Sequence, residues 1–184
     1  MAKIETQTVT LKDGQVVTLR AAEVPDAAKL ISAMVETAET SPYILSTPES
    51  FRQISVADEE KFIEKYNHDP RAVFIVAEIQ GRFVGFTNLI CFKDPKRYHR
   101  AMLGLSLISE YRGLGLGEAI MKVLLKMSSS FQRLHRIELS VMGANIPAYR
   151  LYLKLGFVEY ARHPEAFRLE DGTVQDEIFM VYRP

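Results

Sequence analysis

The sequence predicts a single α/β domain, and three observations carry that prediction. Residues 101–130 read as an apolar strand, a glycine-rich turn and an amphipathic helix in succession. β-Rich runs come in pairs about tight turns at Asp13-Gly14, Gln80-Gly81-Arg82 and Glu170-Asp171-Gly172, as antiparallel hairpins do. Among them lie segments whose apolar residues recur at spacings of three and four, the period of an amphipathic helix. A chain of 184 residues fits one domain with a sizeable core, taken as residues 1–184 with the core from about 16 to 183.

In chain order, Thr8–Lys12 and Val16–Arg20 form the first strand pair. Pro25 suits the first turn of a helix, and Leu30, Ile31, Met34, Val35 and Ala38 supply its apolar stripe. Ser41–Ile54, with Pro42 and Pro48, reads as irregular chain or a broken helix. Ser55-Val-Ala-Asp58 has the form of a capping box, and Phe62, Ile63 and Tyr66 are the apolar positions of the short helix behind it. Val73–Ile79 and Phe83–Phe92 make the next hairpin, where Gly85 marks a bulge or a close backbone approach. Ile137–Val141 alternates apolar and polar residues, so one face of that strand is expected to be buried. Pro147 opens a helix with Ala148, Leu151, Tyr152 and Leu155 on its apolar face, ended by Gly156. Phe157–Tyr160 is a further strand, and Glu165–Leu169 with Asp176–Tyr182 is the last hairpin.

The central stretch carries the chemistry. The apolar run Ala101–Ile108 passes through Ser109-Glu-Tyr111 into Arg112-Gly113-Leu114-Gly115-Leu116-Gly117. Leu116, Ile120, Val123, Leu124 and Met127 then form one stripe of a helix, with Glu118 and Lys122 paired in the favourable acid-first order. A helix start leaves its first N–H groups without intrahelical partners, and the macrodipole makes that end positive. Glycines there remove the side chains that would hold an anion off, and Arg112 can add a charge-assisted bond. The alternative is a tight strand-to-helix connection with no ligand. The turn lacks the Lys-Ser/Thr of a P-loop and the G-x-G-x-x-G spacing of a dinucleotide fold.

Lys plus Arg and Asp plus Glu number 23 each, so no charge excess argues for nucleic acid or an anionic membrane. No apolar run approaches a membrane span, and the first residues lack a signal-peptide core, so a cytoplasmic location is expected. The one cysteine, Cys91, lies in the apolar run Leu89–Phe92 and suits a buried inert thiol rather than a nucleophile.

Arg112-x-x-Gly115-x-Gly117 after a strand resembles the acetyl-CoA signature of the GCN5-related N-acetyltransferases, Gln/Arg-x-x-Gly-x-Gly/Ala. Asn145-x-x-Ala148-x-x-x-Tyr152-x-x-x-Gly156-Phe157 resembles the second signature of the same family. The resemblance covers roughly the second half of the chain. It implies the acyl-CoA N-acyltransferase fold, a mixed, largely antiparallel sheet with helices on both faces. It implies transfer of the acetyl group from acetyl-CoA to a primary amine, with no metal. The acceptor would be a small amine or a protein amine.

By position in the family pattern, main-chain groups of Leu105, Ser106 and Leu107 would meet the pantetheine arm, and Arg112, Gly113, Leu114, Gly115, Leu116 and Gly117 the diphosphate. Asn145 would bond the cofactor, and Tyr152 would give a proton to the leaving thiolate, since a phenol stays protonated at neutral pH. Taken singly, Asn145 reads as a helix start and Tyr152 as a core residue. Glu78, His99 and Glu36 are candidate bases, with none assigned. An activated thioester and an inert Cys91 point to direct attack in a ternary complex. A sensor of the same fold that binds acyl-CoA without catalysis is the competing expectation. Homodimers are common in the family.

Overall fold

The computed structural model describes residues 4–169 and 171–184. Glu170 of the expected last turn lies outside them. The chain divides into two compact units, Met1–Ile90 with Gly104–Phe131, and Cys91–Leu103 with Gln132–Pro184. Its elements in order are β1 (Gln7–Thr10), β2 (Val16–Ala21), α1 (Ala27–Glu39), α2 (Pro48–Arg52), α3 (Val56–His68), β3 (Ala72–Ile79), β4 (Arg82–Cys91), β5 (Arg100–Leu107), α4 (Leu116–Ser128), β6 (Arg136–Met142), α5 (Ile146–Lys154), β7 (Val158–Arg168) and β8 (Val174–Tyr182).

In the first unit β1 to β4 pair antiparallel in succession. The second half of β5 lies beside β4, with Ile108 N–H donating to Val84 C=O at 3.1 Å and the Thr87 hydroxyl to Gly104 C=O at 2.7 Å. In the second unit Arg100–Met102 of β5 run parallel to Arg136–Glu138 of β6, and β6, β8 and β7 follow antiparallel. The sheet is therefore mixed and largely antiparallel, as expected.

β3 explains how the first unit is layered. Ala72, Phe74 and Val76 share a core with Leu30, Ala33 and Met34 of α1 and Ile63 and Tyr66 of α3. Val73, Ile75 and Ala77 point the other way and are equally buried, and α4 packs against β3. Phe62, Tyr66, Phe74 and Phe86 form a run of ring contacts with centroids 5.0–6.5 Å apart, a geometry aromatic pairs favour.

Several elements differ from the sequence reading in informative ways. The buried face of α1 is Ala27, Leu30, Ala33, Met34 and Thr37, so Ile31, Val35 and Ala38 sit at its margins. Thr37 can face the core because its hydroxyl donates to Ala33 C=O at 2.7 Å. The segment read as irregular contains α2, whose start Thr47 caps through Ser50 N–H at 3.1 Å. In α4, Met121 and Ser128 are buried while Val123 and Met127 are half-buried. In β6 the polar residue Glu138 is buried, not solvent-facing, because Arg100 binds its carboxylate through two bonds of 2.8 and 2.7 Å and Arg136 through a third contact. The strands read separately at 157–160 and 165–169 are one strand, β7, irregular about Glu165, whose φ is +53°.

Gly85 is a close approach, and β4 also carries an irregularity opposite Ala77/Glu78. A Cβ there would lie 2.6 Å from Leu107 Cδ2 and 3.2 Å from Ser106 O. Gly85→Ala should lower unfolding stability by about 2 kcal/mol in denaturant titration, the usual scale of overpacking. A change within error would show that β5 yields easily.

Arg20 links β2 to the start of α1. It donates to Asp26 at 2.6 and 2.9 Å and to Glu78 at 3.0 and 2.8 Å. Burial opposes ionisation of Asp26, but the Arg20 guanidinium and the Glu23 N–H outweigh it and hold the carboxyl below its usual range. A depressed folded pKa contributes stability that is complete above the unfolded value of about 3.9 and is lost as pH falls through the folded one. Stability of Asp26→Asn should therefore decline less steeply than wild type below about pH 4. Parallel curves would overturn this assignment.

Candidate functional site

The glycine-rich turn in the first unit begins where β5 ends. A short 3₁₀ turn, Ser109–Tyr111, leads to Arg112 in extended conformation, and α4 starts with Gly115 as its N-cap. Gly113 and Gly115 have φ of +75° and +93°, the left-handed region that residues with a Cβ avoid. Beyond the adjoining chain, no atom lies within 4 Å of where a Cβ would stand on either. The protein's own packing therefore does not demand glycine at these positions. Backbone shape does, and space is left open beside the turn. The turn stands at the head of a 13-residue helix, the end at which main-chain N–H groups can receive an anion.

Strand alternation orients the amides that precede the turn. Gly104 C=O and Ile108 N–H engage β4, and Ser106 O faces Gly85. The main-chain groups of Leu105 and Leu107 are therefore directed away from β4, and those of Ser106 toward it. Leu107 C=O accepts from Arg112 Nε at 3.1 Å and Nη2 at 2.8 Å. The guanidinium thus bonds the end of β5. Burial pulls its pKa below the ordinary arginine value, and it remains a cation.

One contact to the turn was missed at the level of sequence. Lys12, in the turn between β1 and β2, donates its N–H to Leu114 C=O at 3.1 Å and its ammonium to Gly113 C=O at 3.2 Å. A hundred residues of chain separate the partners, and no local pattern signals such a pairing.

Asn145 and Tyr152 lie in the second unit. Asn145 is the N-cap of α5, its Oδ1 accepting from Ala148 N–H at 3.3 Å. Tyr152 is 6% exposed and is the buried residue of α5; Ala148, Leu151 and Leu155, expected beside it, are half-buried. Its ring stands 5.8 Å from Phe157, which stands 5.4 Å from Tyr182. Gly156 ends the helix at φ +91°, turning the chain so that Phe157 N–H reaches Tyr152 C=O at 3.0 Å. Burial pushes the Tyr152 hydroxyl up to about 12.

The candidate bases fare differently. Glu78 is bound by Arg20, and Glu36 by Arg82 at 2.5 Å. His99 is exposed in the stretch before β5. Cys91 is 4% exposed. Among the described residues no cluster of His, Cys, Asp and Glu could hold a metal ion, and no helix is long and apolar enough to cross a membrane.

Comparison with known proteins extends this geometry. The Escherichia coli protein named L-amino acid N-acetyltransferase AaaT is 29% identical over 128 residues, spanning 70% of this chain and 78% of that protein. An N-alpha-acetyltransferase of Sulfurisphaera tokodaii is 31% identical over 108 residues, 53% of this chain and 64% of that protein. An acetyltransferase of the GNAT family from Streptococcus pneumoniae has the same fold, with TM-score 0.87 at 21% identity over 91% of this chain and 99% of that one. So does yncA of Salmonella typhimurium, solved with acetyl-CoA, at TM-score 0.77 and 18% identity over 91% and 93% of the two chains. Residues 33–157, from α1 to the end of α5 and just beyond, match the Acetyltransferase (GNAT) family, and this chain belongs to that family.

Proposed function

We propose that the protein transfers the acetyl group of acetyl-CoA to a primary amine, with the diphosphate held by the turn from Arg112 to Gly117. The observation that carries this reading is the pair of left-handed glycines, 113 and 115, at the head of α4 with open space where side chains would stand. Main-chain N–H groups from Gly113, Leu114, Gly115, Leu116 and Gly117 receive the diphosphate, and Arg112 adds its charge. Leu105 and Leu107, whose amides point away from β4, bond the pantetheine arm. Asn145 uses its carbonyl oxygen as a helix cap and its amide N–H₂ toward the cofactor.

When bound, acetyl-CoA supplies an activated thioester. The acceptor nitrogen bonds to the acetyl carbon and the carbon–sulfur bond breaks. The proton that nitrogen sheds balances the one that the thiol gains. Tyr152 stabilises the departing sulfur. With a pKa of about 12, its phenol is protonated at every working pH. Complete transfer to a thiolate, whose own pKa is about 8.5, is uphill. Its role is hydrogen-bond donation to sulfur as charge develops there. The names of the relatives from Escherichia coli and Sulfurisphaera tokodaii point to α-amines as acceptors, on free amino acids or protein N-termini.

A thiol-release assay with a panel of amino acids, polyamines and peptides tests the whole reading. CoA release that requires an α-amine is expected. Binding of acetyl-CoA with no amine-dependent release would mark a sensor instead.

Tyr152→Phe should lower kcat by about a hundredfold and leave acetyl-CoA affinity within about twofold of wild type. The factor should be the same from pH 6 to 10, since the phenol does not ionise in that interval. An alkaline limb present in wild type and absent from the variant would overturn the hydrogen-bond role, as would an unchanged rate.

Gly115→Val should weaken acetyl-CoA binding by at least about tenfold, because a β-branched residue resists φ of +93° and fills the open space. Undiminished affinity in calorimetry would contradict the cradle.

A further inference from the structure

The turn between β1 and β2 belongs to none of the expected site residues, yet it grips the glycine-rich turn. It is a firm platform. Leu11 is buried at 4% exposure, its N–H donates to Gln15 C=O at 2.8 Å, and Gly14 N–H donates to Leu11 C=O at 3.0 Å. The Asp13 carboxylate accepts from Gln15 N–H at 3.1 Å. From this platform Lys12 holds two successive carbonyls, Gly113 C=O with its ammonium at 3.2 Å and Leu114 C=O with its N–H at 3.1 Å.

Peptide planarity turns that grip into an orientation. Across a trans peptide the C=O of one residue and the N–H of the next point in opposite directions. Fixing the carbonyls of Gly113 and Leu114 toward Lys12 therefore turns the N–H groups of Leu114 and Gly115 away from it together. Adjacent N–H groups aimed at one side are what an anion nest consists of. An ammonium on the carbonyl side also polarises the Gly113–Leu114 peptide, which strengthens the N–H on the far side.

The geometry points to Lys12 as a positioning residue for the diphosphate of acetyl-CoA: it clamps the outer carbonyls of the turn and so presents the inner amides. The inference rests on the proposed function and goes further, because it names a residue outside both family signatures and assigns it to the diphosphate. Lys12 touches the turn, not the reacting atoms.

Three proteins test it: wild type, Lys12→Met, which keeps the length of the stem without the charge, and Lys12→Arg, which restores a cation. Wild type is first titrated with acetyl-CoA by calorimetry. Lys12→Met should then bind acetyl-CoA and 3′-dephospho-acetyl-CoA about tenfold more weakly. KM for acetyl-CoA should rise in step while kcat at saturation stays within about twofold, and Lys12→Arg should recover most of the loss. With S-acetylpantetheine, which lacks the diphosphate, kcat/KM should be the same in all three. Equal acetyl-CoA affinity in wild type and Lys12→Met overturns the clamp. So does an equal loss with S-acetylpantetheine, which would mean general damage. A loss that disappears with the 3′-dephospho compound would put Lys12 on the 3′-phosphate and overturn it too. If wild type itself fails to bind acetyl-CoA, the proposed function falls and the clamp falls with it, a result distinct from all the others.

Discussion

A helix that begins on a left-handed glycine exposes N–H groups that nothing in its own backbone can satisfy. At the head of α4 this condition is built twice over, with Gly113 and Gly115 both at positive φ and the space beside them open. The neighbouring elements hold that turn in place. β4 gives up a side chain at Gly85 so that β5 can run close. β5 delivers the chain to Arg112, whose guanidinium ties back to Leu107 C=O. Lys12 takes the carbonyls of the turn from outside. The amides of Leu114 and Gly115 then face the other way because a planar peptide allows nothing else.

The second unit follows a different logic. Tyr152 is held by rings and by backbone. Phe157 packs against it and is itself backed by Tyr182, and the αL turn at Gly156 lets Phe157 N–H close on Tyr152 C=O. Burial raises the phenol to about 12. A phenol so weakly acidic keeps its proton at neutral pH.

Two sets of charged side chains are committed to structure. Arg20 is shared between Asp26 and Glu78, and Glu138 is bound by Arg100 and Arg136. Removing one member of such a set would strand its partner away from water. Glu78, a candidate base by residue type, is itself a residue of β3 paired with Thr18 of β2, and its carboxylate ties Arg20 of β2 to that strand.

Much of this protein was legible in its sequence. Local chemistry decided the hairpins, the strand–turn–helix unit, the caps at Ser55 and Asn145 and the helix stop at Gly156, because turn residues, period and capping act over a few neighbouring positions. The two family signatures rest on glycines and polar residues whose spacing is set by that same local geometry. Tertiary structure decided what distance along the chain conceals. It turned α1 so that Thr37 and not Val35 faces the core, buried Glu138 against two arginines, aimed the amides of Leu105 and Leu107 apart from those of Ser106, and set Lys12 on the glycine turn. Each of these depends on a partner remote in sequence. Periodicity records which residues share a face, and only packing determines what that face meets.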